Sequence, residues 1–377
     1  MSEPTAQPIR PSITEAIAGP AGPGGTGYRP GLLRWTLPWH LGWALLGGGA
    51  LYLLTITVEP YRNLQISNVA FTAIAAAGLT VLTGASGQIS LGQGGFMAVG
   101  AYTTALLLIH KDWPLGVVLI ASTLATAVVG ALVGAAAARL RGPYLAGATL
   151  AFAVGLPALA DYRGLREDLG GGEGLSVPTK PPPLRLGETF PLERWQAWIC
   201  GLCLVITLFL LANLQSSRVG RHLRAVRDDE VAAALAGVNV ARTQVLAFVV
   251  SAACAGLAGG LLAFVNSLAA PGAFPLALSL SLLTVVVIGG LGSLAGAVYG
   301  SILLVLLPTW SADLAQTLHL SRDVYANLPL AAYGVVLIAV ILGFPQGLQG
   351  ALVRLARLLR GPAEPHPLRD GNEPRQD

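Results

Sequence analysis

Glycine and small polar residues interrupt an apolar stretch between Thr83 and Phe96, and this break contains groups that could bind a solute. Its polar side chains are those of Gln88, Ser90 and Gln93. Amide and hydroxyl groups hydrogen-bond a solute without carrying charge, and non-helical backbone at membrane depth is tolerated only where it is buried in protein or lines a watery cavity. We therefore predict that these three residues line a solute pathway. The alternative is tight helix packing through small residues, which glycine serves equally well.

A second break divides the apolar stretch Leu276–Leu307, which is too long for one straight membrane crossing. We predict two half-length helices folded back on themselves at this break. The residues assigned to the same pathway are Gly289, Gly290, Gly292 and Ser293.

The segment Ser217–Thr243 is polar and carries an arginine at every third position. These residues are Arg218, Arg221, Arg224 and Arg227. This spacing spreads the arginines over one broad side of a helix.

A second, shorter helix is predicted directly after these arginines. Asp228 and Asp229 can cap it and Glu230 is favourable in its first turn, while Gly237 followed by Asn239 is typical of a helix end. About two turns of helix do not persist alone in water, so we expect this helix to lie in a groove of this protein or of a partner. The alternative is a helix held on the membrane surface by arginines and lipid phosphates.

Several kinds of chemistry are excluded by what the apolar stretches lack. They contain no Asp, Glu, Lys or Arg, which argues against a proton-driven carrier. The chain has no GxxxxGK[ST] phosphate loop, so if transport is active we expect its energy to come from another polypeptide. We predict no metal site, because the histidines lack ligand spacing, and no nucleic-acid binding, because there is no continuous basic domain. A membrane-embedded enzyme would need a nucleophile, a base or a metal cluster in the bilayer, and none is found.

The composition requires that these residues be positioned by membrane-spanning helices. Of the 377 residues 11% are charged, against roughly 25% in soluble proteins, and 54% are hydrophobic. We predict an all-α, polytopic membrane helical bundle of about 8–10 transmembrane segments with broken helices. Besides Leu276–Leu307, the predicted spans are Trp39–Val58, Gln65–Thr83, Leu91–Ile109, Pro114–Ala138, Pro143–Ala160, Trp195–Asn213, Gln244–Leu268 and Leu328–Phe344.

The distribution of arginine predicts the orientation of the bundle. With the amino terminus inside the cell, the cytoplasmic segments contain 15 of the 23 basic residues, as the positive-inside rule requires. Residues 1–38 are rich in Pro and Gly and are predicted to be a disordered cytoplasmic tail. Residues 39–344 are predicted to form the membrane domain, and residues 345–377 a cytoplasmic carboxyl-terminal tail.

Five sequence motifs, taken in order, resemble one known family of transport proteins. They lie at Gly87–Thr103, Arg139–Phe152, Gly171–Pro178, Gly220–Asn239 and Val286–Gly296. In these motifs the chain resembles the permease subunits of branched-chain amino acid ABC importers, of the type paired with a second, related permease. The resemblance extends from about Asn68 to Phe344.

The resemblance implies a role, partners and a location. Residues 39–344 would be the transmembrane permease domain of an ABC importer in a bacterial plasma (inner) membrane, embedded in the lipid bilayer. The partners would be a homologous permease subunit, two cytoplasmic ATPases that bind ATP and Mg, and an external solute-binding protein, with no cofactor in this chain. Asp229–Gly237 would correspond to the coupling helix. The residues assigned to coupling are Arg227, Asp228, Asp229, Glu230, Ala232, Ala233 and Gly237.

Two other functions remain open from the sequence. Members of the same family that import urea or short-chain amides have scarcely distinguishable permease motifs. An autonomous secondary carrier or channel would transport solute without an ATPase, whereas an importer subunit would not.

Overall fold

A computed structural model describes residues 36–111, 113–140, 143–183 and 190–317, together with the short stretches 334–335, 338–339, 342 and 347–350. Most of the predicted amino-terminal tail 1–38, most of the predicted span Leu328–Phe344 and most of the carboxyl-terminal tail 345–377 lie outside the described residues.

The described chain is almost entirely helical. In chain order its α-helices are α1 (Thr36–Thr57), α2 (Pro60–Leu79), α3 (Gln93–Lys111), α4 (Leu115–Ala137), α5 (Pro143–Ala158), α6 (Arg166–Leu169), α7 (Leu192–Ser216), α8 (Arg218–Asp228), α9 (Glu230–Leu235), α10 (Val240–Asn266), α11 (Leu276–Gly289) and α12 (Leu294–Thr317). A π-helical turn, Thr80–Ala85, continues α2. The strands are β1 (Leu175–Ser176) and β2 (Leu268–Ala269).

Within the described residues, seven helical segments are long and apolar enough to cross a membrane, and Tyr144–Ala158 is a shorter apolar helix. This confirms the predicted all-α polytopic bundle. The predicted span Leu91–Ile109 corresponds to α3, which is not among the seven. Charged residues enter the seven segments only within their first turns, as Arg62, Glu193, Arg194 and Arg242 do.

The prediction of two half-length helices in Leu276–Leu307 is wrong, although the break lies where it was predicted. Helix α11 ends at Gly289 and α12 begins at Leu294. Helix α12 has 24 residues, about 36 Å of helix, which is enough for a complete crossing. The apolar run after Leu294 allows this, because Gly296 and Gly300 lie within α12 without ending it and its first charged residue is Asp313. Two crossings return the chain to the side it left, as a folded-back pair would, so the predicted orientation is unaffected.

Helix α10 lies at the centre of the bundle and packs against α2, α3 and α4. Its glycines allow this close packing, because a Cβ at Gly256 would meet Thr126 of α4 and a Cβ at Gly259 would meet the backbone of Met97 in α3. Small residues of this kind let helix backbones approach closely in membranes, where packing replaces the hydrophobic effect as the main attraction between helices.

The carboxyl end of α10 is fixed by the two-stranded sheet. Leu175 pairs with Ala269 and Ser176 with Leu268 in antiparallel register. The Val177 N–H donates to the carbonyl oxygen of Ser267 (2.9 Å). The glycine-rich loop before β1 is therefore bound directly to the end of the central helix.

Candidate functional site

The amino end of α3 begins deep in the bundle and is held by the side chain of Gln93, which is fully buried. Its Nε2 donates to the Ala75 carbonyl oxygen of α2 (2.9 Å), and its Oε1 accepts from Ser251 Oγ of α10 (3.2 Å). Ala75 lies ten residues before the end of the π-helical turn at Ala85, about 15 Å along the helix. The segment 86–92 therefore doubles back into the bundle, and the predicted break is a real interruption at membrane depth.

Two further hydroxyl groups hold the chain around the start of α3. The Leu91 N–H donates to Thr149 Oγ1 of α5 (3.0 Å), and the Gly94 N–H donates to Ser279 Oγ of α11 (2.9 Å). Within the segment itself, the Gly92 N–H donates to the fully buried Ser90 Oγ (3.2 Å). Four neighbouring helices thus satisfy backbone and amide groups that the break frees. Ser90 and Gln93 form bonds within the protein in this conformation.

The first break also contacts the second. A Cβ at Gly84, in the π-helical turn, would overlap the backbone nitrogen of Gly292, so these two segments are in direct backbone contact. The structure therefore brings the two predicted breaks together at the end of α2. Sequence analysis did not predict this contact.

Several buried polar side-chain atoms lie on the π-helical turn and on the segment after it. Among the described residues, four such buried atoms have no hydrogen-bond partner: Oγ1 of Thr80, Oγ1 of Thr83, Oγ of Ser86 and Oε1 of Gln88. Buried polar atoms are normally hydrogen-bonded, and π-helical turns often occur at functional sites. Gln88, a predicted pathway residue, belongs to this group, whereas Ser90 and Gln93 belong to the bonded layer around the start of α3.

The second break is a tight connection rather than an open loop. Gly290 and Gly292 both have positive φ, at 110° and 85°, which favours glycine. Ser293 Oγ accepts from the Gly296 N–H (3.0 Å) and caps α12, and Gly289 packs directly against the backbone of Gly296. Of the predicted pathway residues here, Gly289 and Gly290 are buried and Gly292 and Ser293 are half-buried.

Helix α8 carries the arginines and lies against the bundle through its apolar side, where Leu223 and Val226 are buried. Ser217 Oγ caps its amino end by accepting from the Val219 N–H (3.2 Å). Arg218, Arg221 and Arg227 are exposed, whereas Arg224 is half-buried and its Nη1 donates to the Gln215 carbonyl oxygen (2.9 Å). Arg227 Nη1 donates to the Gly84 carbonyl oxygen (2.8 Å) and so joins this segment to the first break.

Helix α9 is short but is capped at both ends. Asp229 Oδ1 accepts from the N–H groups of Val231 (2.8 Å) and Ala232 (3.0 Å). At the other end Gly237 has a φ of 84°, and the Val238 N–H donates to the Ala233 carbonyl oxygen (3.0 Å), which is the Schellman arrangement. Asp228 does not cap this helix, and instead accepts from Arg227.

One side of α9 is attached to the bundle and the other faces outward. Ala233 is buried, and Glu230 Oε1 accepts from Gln244 Nε2 of α10 (2.9 Å). Ala232, in contrast, is exposed, and the side chains of Val231 and Leu235 are 70% and 86% exposed. Two exposed branched side chains on a capped helix form a compact apolar surface that can fit a groove in a partner.

Sequence analysis missed several residues that hold the site. Ser251 and Ser279 are hydroxyls in apolar helices, and only their neighbours in space distinguish them from hydroxyls such as that of Thr284, which bonds to the preceding turn. Gly84 lies in the first predicted break, but its contacts with Gly292 and Arg227 can be seen only in the fold.

Comparison with known proteins shows which family has this arrangement. The sequence profile of the family described as branched-chain amino acid transport system / permease component matches residues 64–345. That range contains both breaks and the segment from α8 to α9. The chain belongs to this family. Helix α1 precedes the matched range.

Individual relatives of this permease carry corresponding names. It is 32% identical over 296 residues to the high-affinity branched-chain amino acid transport system permease protein LivM of Escherichia coli K12, covering 73% of this chain and 67% of LivM. It is 32% identical over 159 residues to LivH of the same strain, covering 42% of this chain and 48% of LivH. It is 28% identical over 293 residues to BraD of Pseudomonas aeruginosa, covering 74% of this chain and 91% of BraD. No solved structure is significantly similar to it.

Proposed function

We propose that this permease is the membrane subunit of an ATP-binding cassette importer and forms the pathway for leucine, isoleucine and valine. The family match over 64–345 is the observation that carries the proposal, because it includes both breaks and the arginine-rich segment that bonds to the first of them. The LivM, LivH and BraD relatives are all named for branched-chain amino acids, which favours this cargo over urea or short-chain amides.

An uncharged pathway suits cargo that is selected elsewhere. Gln88, Ser90, Gln93 and the residues of the second break offer only amide, hydroxyl and backbone groups. Such groups hydrogen-bond a zwitterion weakly and release it, so selectivity can reside in an external solute-binding protein. In the present conformation the start of α3 is closed by Thr149, Ser251 and Ser279. Transport then requires those hydrogen bonds to exchange for bonds to cargo or water.

The energy comes from ATPases bound below the bundle. We assign α9 as the coupling helix, with Val231 and Leu235 inserted into a groove of a cytoplasmic ATPase that binds ATP and Mg. Gln244 of the central helix α10 donates to Glu230, the first residue of α9. A displacement of α9 would therefore be transmitted to the bundle. A second, related permease completes the membrane pair, as the separate existence of LivM and LivH in one organism supports.

The outer loop between α5 and α7 is the surface we assign to the binding protein. Its glycine-rich turn is fixed to the end of α10 by the strand pair, so this part of the loop presents a defined surface. We assign α8, α9 and both termini to the cytoplasmic side of a bacterial plasma membrane, and the arginine distribution supports this assignment.

Deletion of the gene in its own cell, with complementation, tests the proposal. We expect uptake of radiolabelled leucine, isoleucine and valine to fall and to return with the wild-type gene, while uptake of urea and acetamide is unchanged. Loss of urea or acetamide uptake instead would identify the alternative cargo. ATP-independent accumulation of leucine by liposomes that contain only the purified chain would contradict an importer subunit and show an autonomous carrier.

A further inference from the structure

Arg227 makes contacts in two directions at the end of α8. Its Nη1 donates to the Gly84 carbonyl oxygen (2.8 Å), and its Nε and Nη2 donate to Asp228 Oδ1 (3.0 and 2.9 Å). The guanidinium is planar and carries five N–H donors in a fixed geometry, so the bond to Asp228 fixes the direction of the bond to Gly84. Asp228 thus orients Arg227 towards the first break.

The acceptor of this bond is the end of a pathway helix. The helix formed by α2 and the π-helical turn ends at Ala85, and carbonyl groups in a last turn lack helical partners. A cationic side chain is favourable at such an end, because it satisfies a carbonyl group and complements the helix dipole. Gly84 also touches Gly292 in the second break. Arg227 therefore contacts the point at which the two breaks meet.

The side-chain stem of Arg227 contacts the segment that follows. A Cβ at Gly87, where φ is 76°, would lie 2.9 Å from Cγ of Arg227. The arginine thus packs against the chain just before Gln88, where that chain turns back towards α3. Displacement of Arg227 would free the space beside Gly87 as well as the carbonyl group of Gly84.

The residues after Arg227 connect it to α9 without a flexible spacer. Asp228 orients Arg227, Asp229 caps α9, and Glu230 is the first residue of α9 and bonds to α10. Movement of α9 would therefore displace Arg227 through the two residues that link them. A long arginine side chain on a separate loop would lack this direct connection.

We propose that Arg227 is the positioning residue through which movement of the coupling helix α9 reaches the junction of the two breaks. It holds Gly84 in the present conformation, and displacement of α9 withdraws it and allows the segment 86–92 to move. This role rests on the proposed function, since it requires a partner that moves α9. Arg227 touches no cargo in this assignment, and it acts through the backbone of Gly84 and Gly87.

The test compares Arg227→Ala and Arg227→Lys with Arg221→Ala in the complete transporter complex in proteoliposomes. Arg221 lies on the same helix and is exposed, so its removal controls for a lost arginine. Leucine uptake and ATP hydrolysis are measured together, and the melting temperature of each purified complex is recorded. Lysine keeps the positive charge but cannot make the forked contact, so we expect it to behave like alanine.

We expect both Arg227 variants to carry about tenfold less leucine per ATP hydrolysed, the factor corresponding to loss of one hydrogen bond to a charged donor, with little change in melting temperature. Arg221→Ala should match the wild type. An unchanged ratio in Arg227→Ala, or a loss of uptake that only follows a lower melting temperature, would overturn the role of Arg227. A wild-type complex with no ATP-dependent uptake would instead overturn the proposed function on which it rests.

Discussion

At the scale of single residues, the polar groups of the bundle serve two purposes that their side-chain types do not separate. Gln93, Ser251 and Ser279 are hydrogen-bonded and hold the start of α3 against its neighbours. Thr83 and Gln88 have buried polar atoms without partners in the described part of the chain. The first group stabilises this conformation, and we expect the second to supply polar surface when the proposed pathway opens.

Replacement of Gln93 by leucine tests the first purpose. The change removes the bonds to Ala75 and Ser251, and the buried Ser251 hydroxyl loses its acceptor. Interhelical hydrogen bonds in membranes contribute about 0.6 to 2 kcal/mol each, so the purified protein should melt several degrees lower. Gln65→Leu is the matched control, because Gln65 makes only a 3.4 Å contact with Thr309. Equal melting temperatures for the two variants would show that the Gln93 bridge does not hold α3.

Replacement of Gly84 by alanine tests the contact between the two breaks. The added methyl group would overlap the backbone of Gly292, and overpacking of this kind costs about 1 to 3 kcal/mol. We expect leucine uptake by the complex to be lost. Gly116→Ala is the control, since a Cβ there meets nothing within 4 Å. Normal uptake by the Gly84 variant would show that the contact between Gly84 and Gly292 is not needed for transport.

At the scale of elements, α9 shows how a six-residue helix is kept folded. The cap at Asp229, the Schellman turn at Gly237 and the bond from Gln244 to Glu230 satisfy its free backbone groups and attach it to α10. Its exposed apolar side chains do not contribute to this stability. They remain available to a partner, as expected of a coupling element.

Substitution of Gly237 can destabilise α9 without introducing a steric clash. A Cβ there meets nothing within 4 Å, but the positive φ costs a residue other than glycine about 1 to 2 kcal/mol. We expect Gly237→Ala to reduce the stimulation of ATP hydrolysis by cargo-loaded binding protein. Gly237→Asn should retain most of it, because asparagine tolerates left-handed backbone better. If alanine and asparagine gave the same result, backbone conformation would not be the cause.

Local signals allowed the sequence to predict much of this organisation. The glycines at 289–292 ended α11 as predicted, and Asp229 and Gly237 bounded α9 as predicted, because breaks and caps depend on adjacent residues. The contact of Gly84 with Gly292 and the bond from Arg227 to Gly84 join residues far apart in the chain, so no local pattern encodes them. The length of α12 was misjudged because an apolar run indicates burial in the membrane but not where a helix turns back.

At the scale of the whole molecule, the seven apolar segments define a membrane domain whose two faces differ in chemistry. Four arginines lie on α8, while the loop between α5 and α7 mixes acidic residues such as Glu167 and Asp168 with basic ones such as Arg163. The predicted orientation assigns the first face to the cytoplasm and the second to the outside.

Labelling of single cysteines by a membrane-impermeant maleimide tests this orientation. With the native cysteines replaced by serine, Glu167→Cys should react in intact spheroplasts, and Arg221→Cys should react only after the membrane is permeabilised. Both positions are exposed, so access to the reagent depends on the side of the membrane. The reverse pattern would invert the topology and place α9 outside the cell.

The continuity of α10 has a consequence for how two proteins on opposite sides of a membrane can sense each other. Its 27 residues form about 40 Å of unbroken helix, with the strand pair at one end and Gln244 near the other. A single continuous helix thus connects the two surfaces that we propose for docking. Rotation of α10 would transmit the docking of a solute-binding protein to the ATPase before any amino acid had entered the pathway.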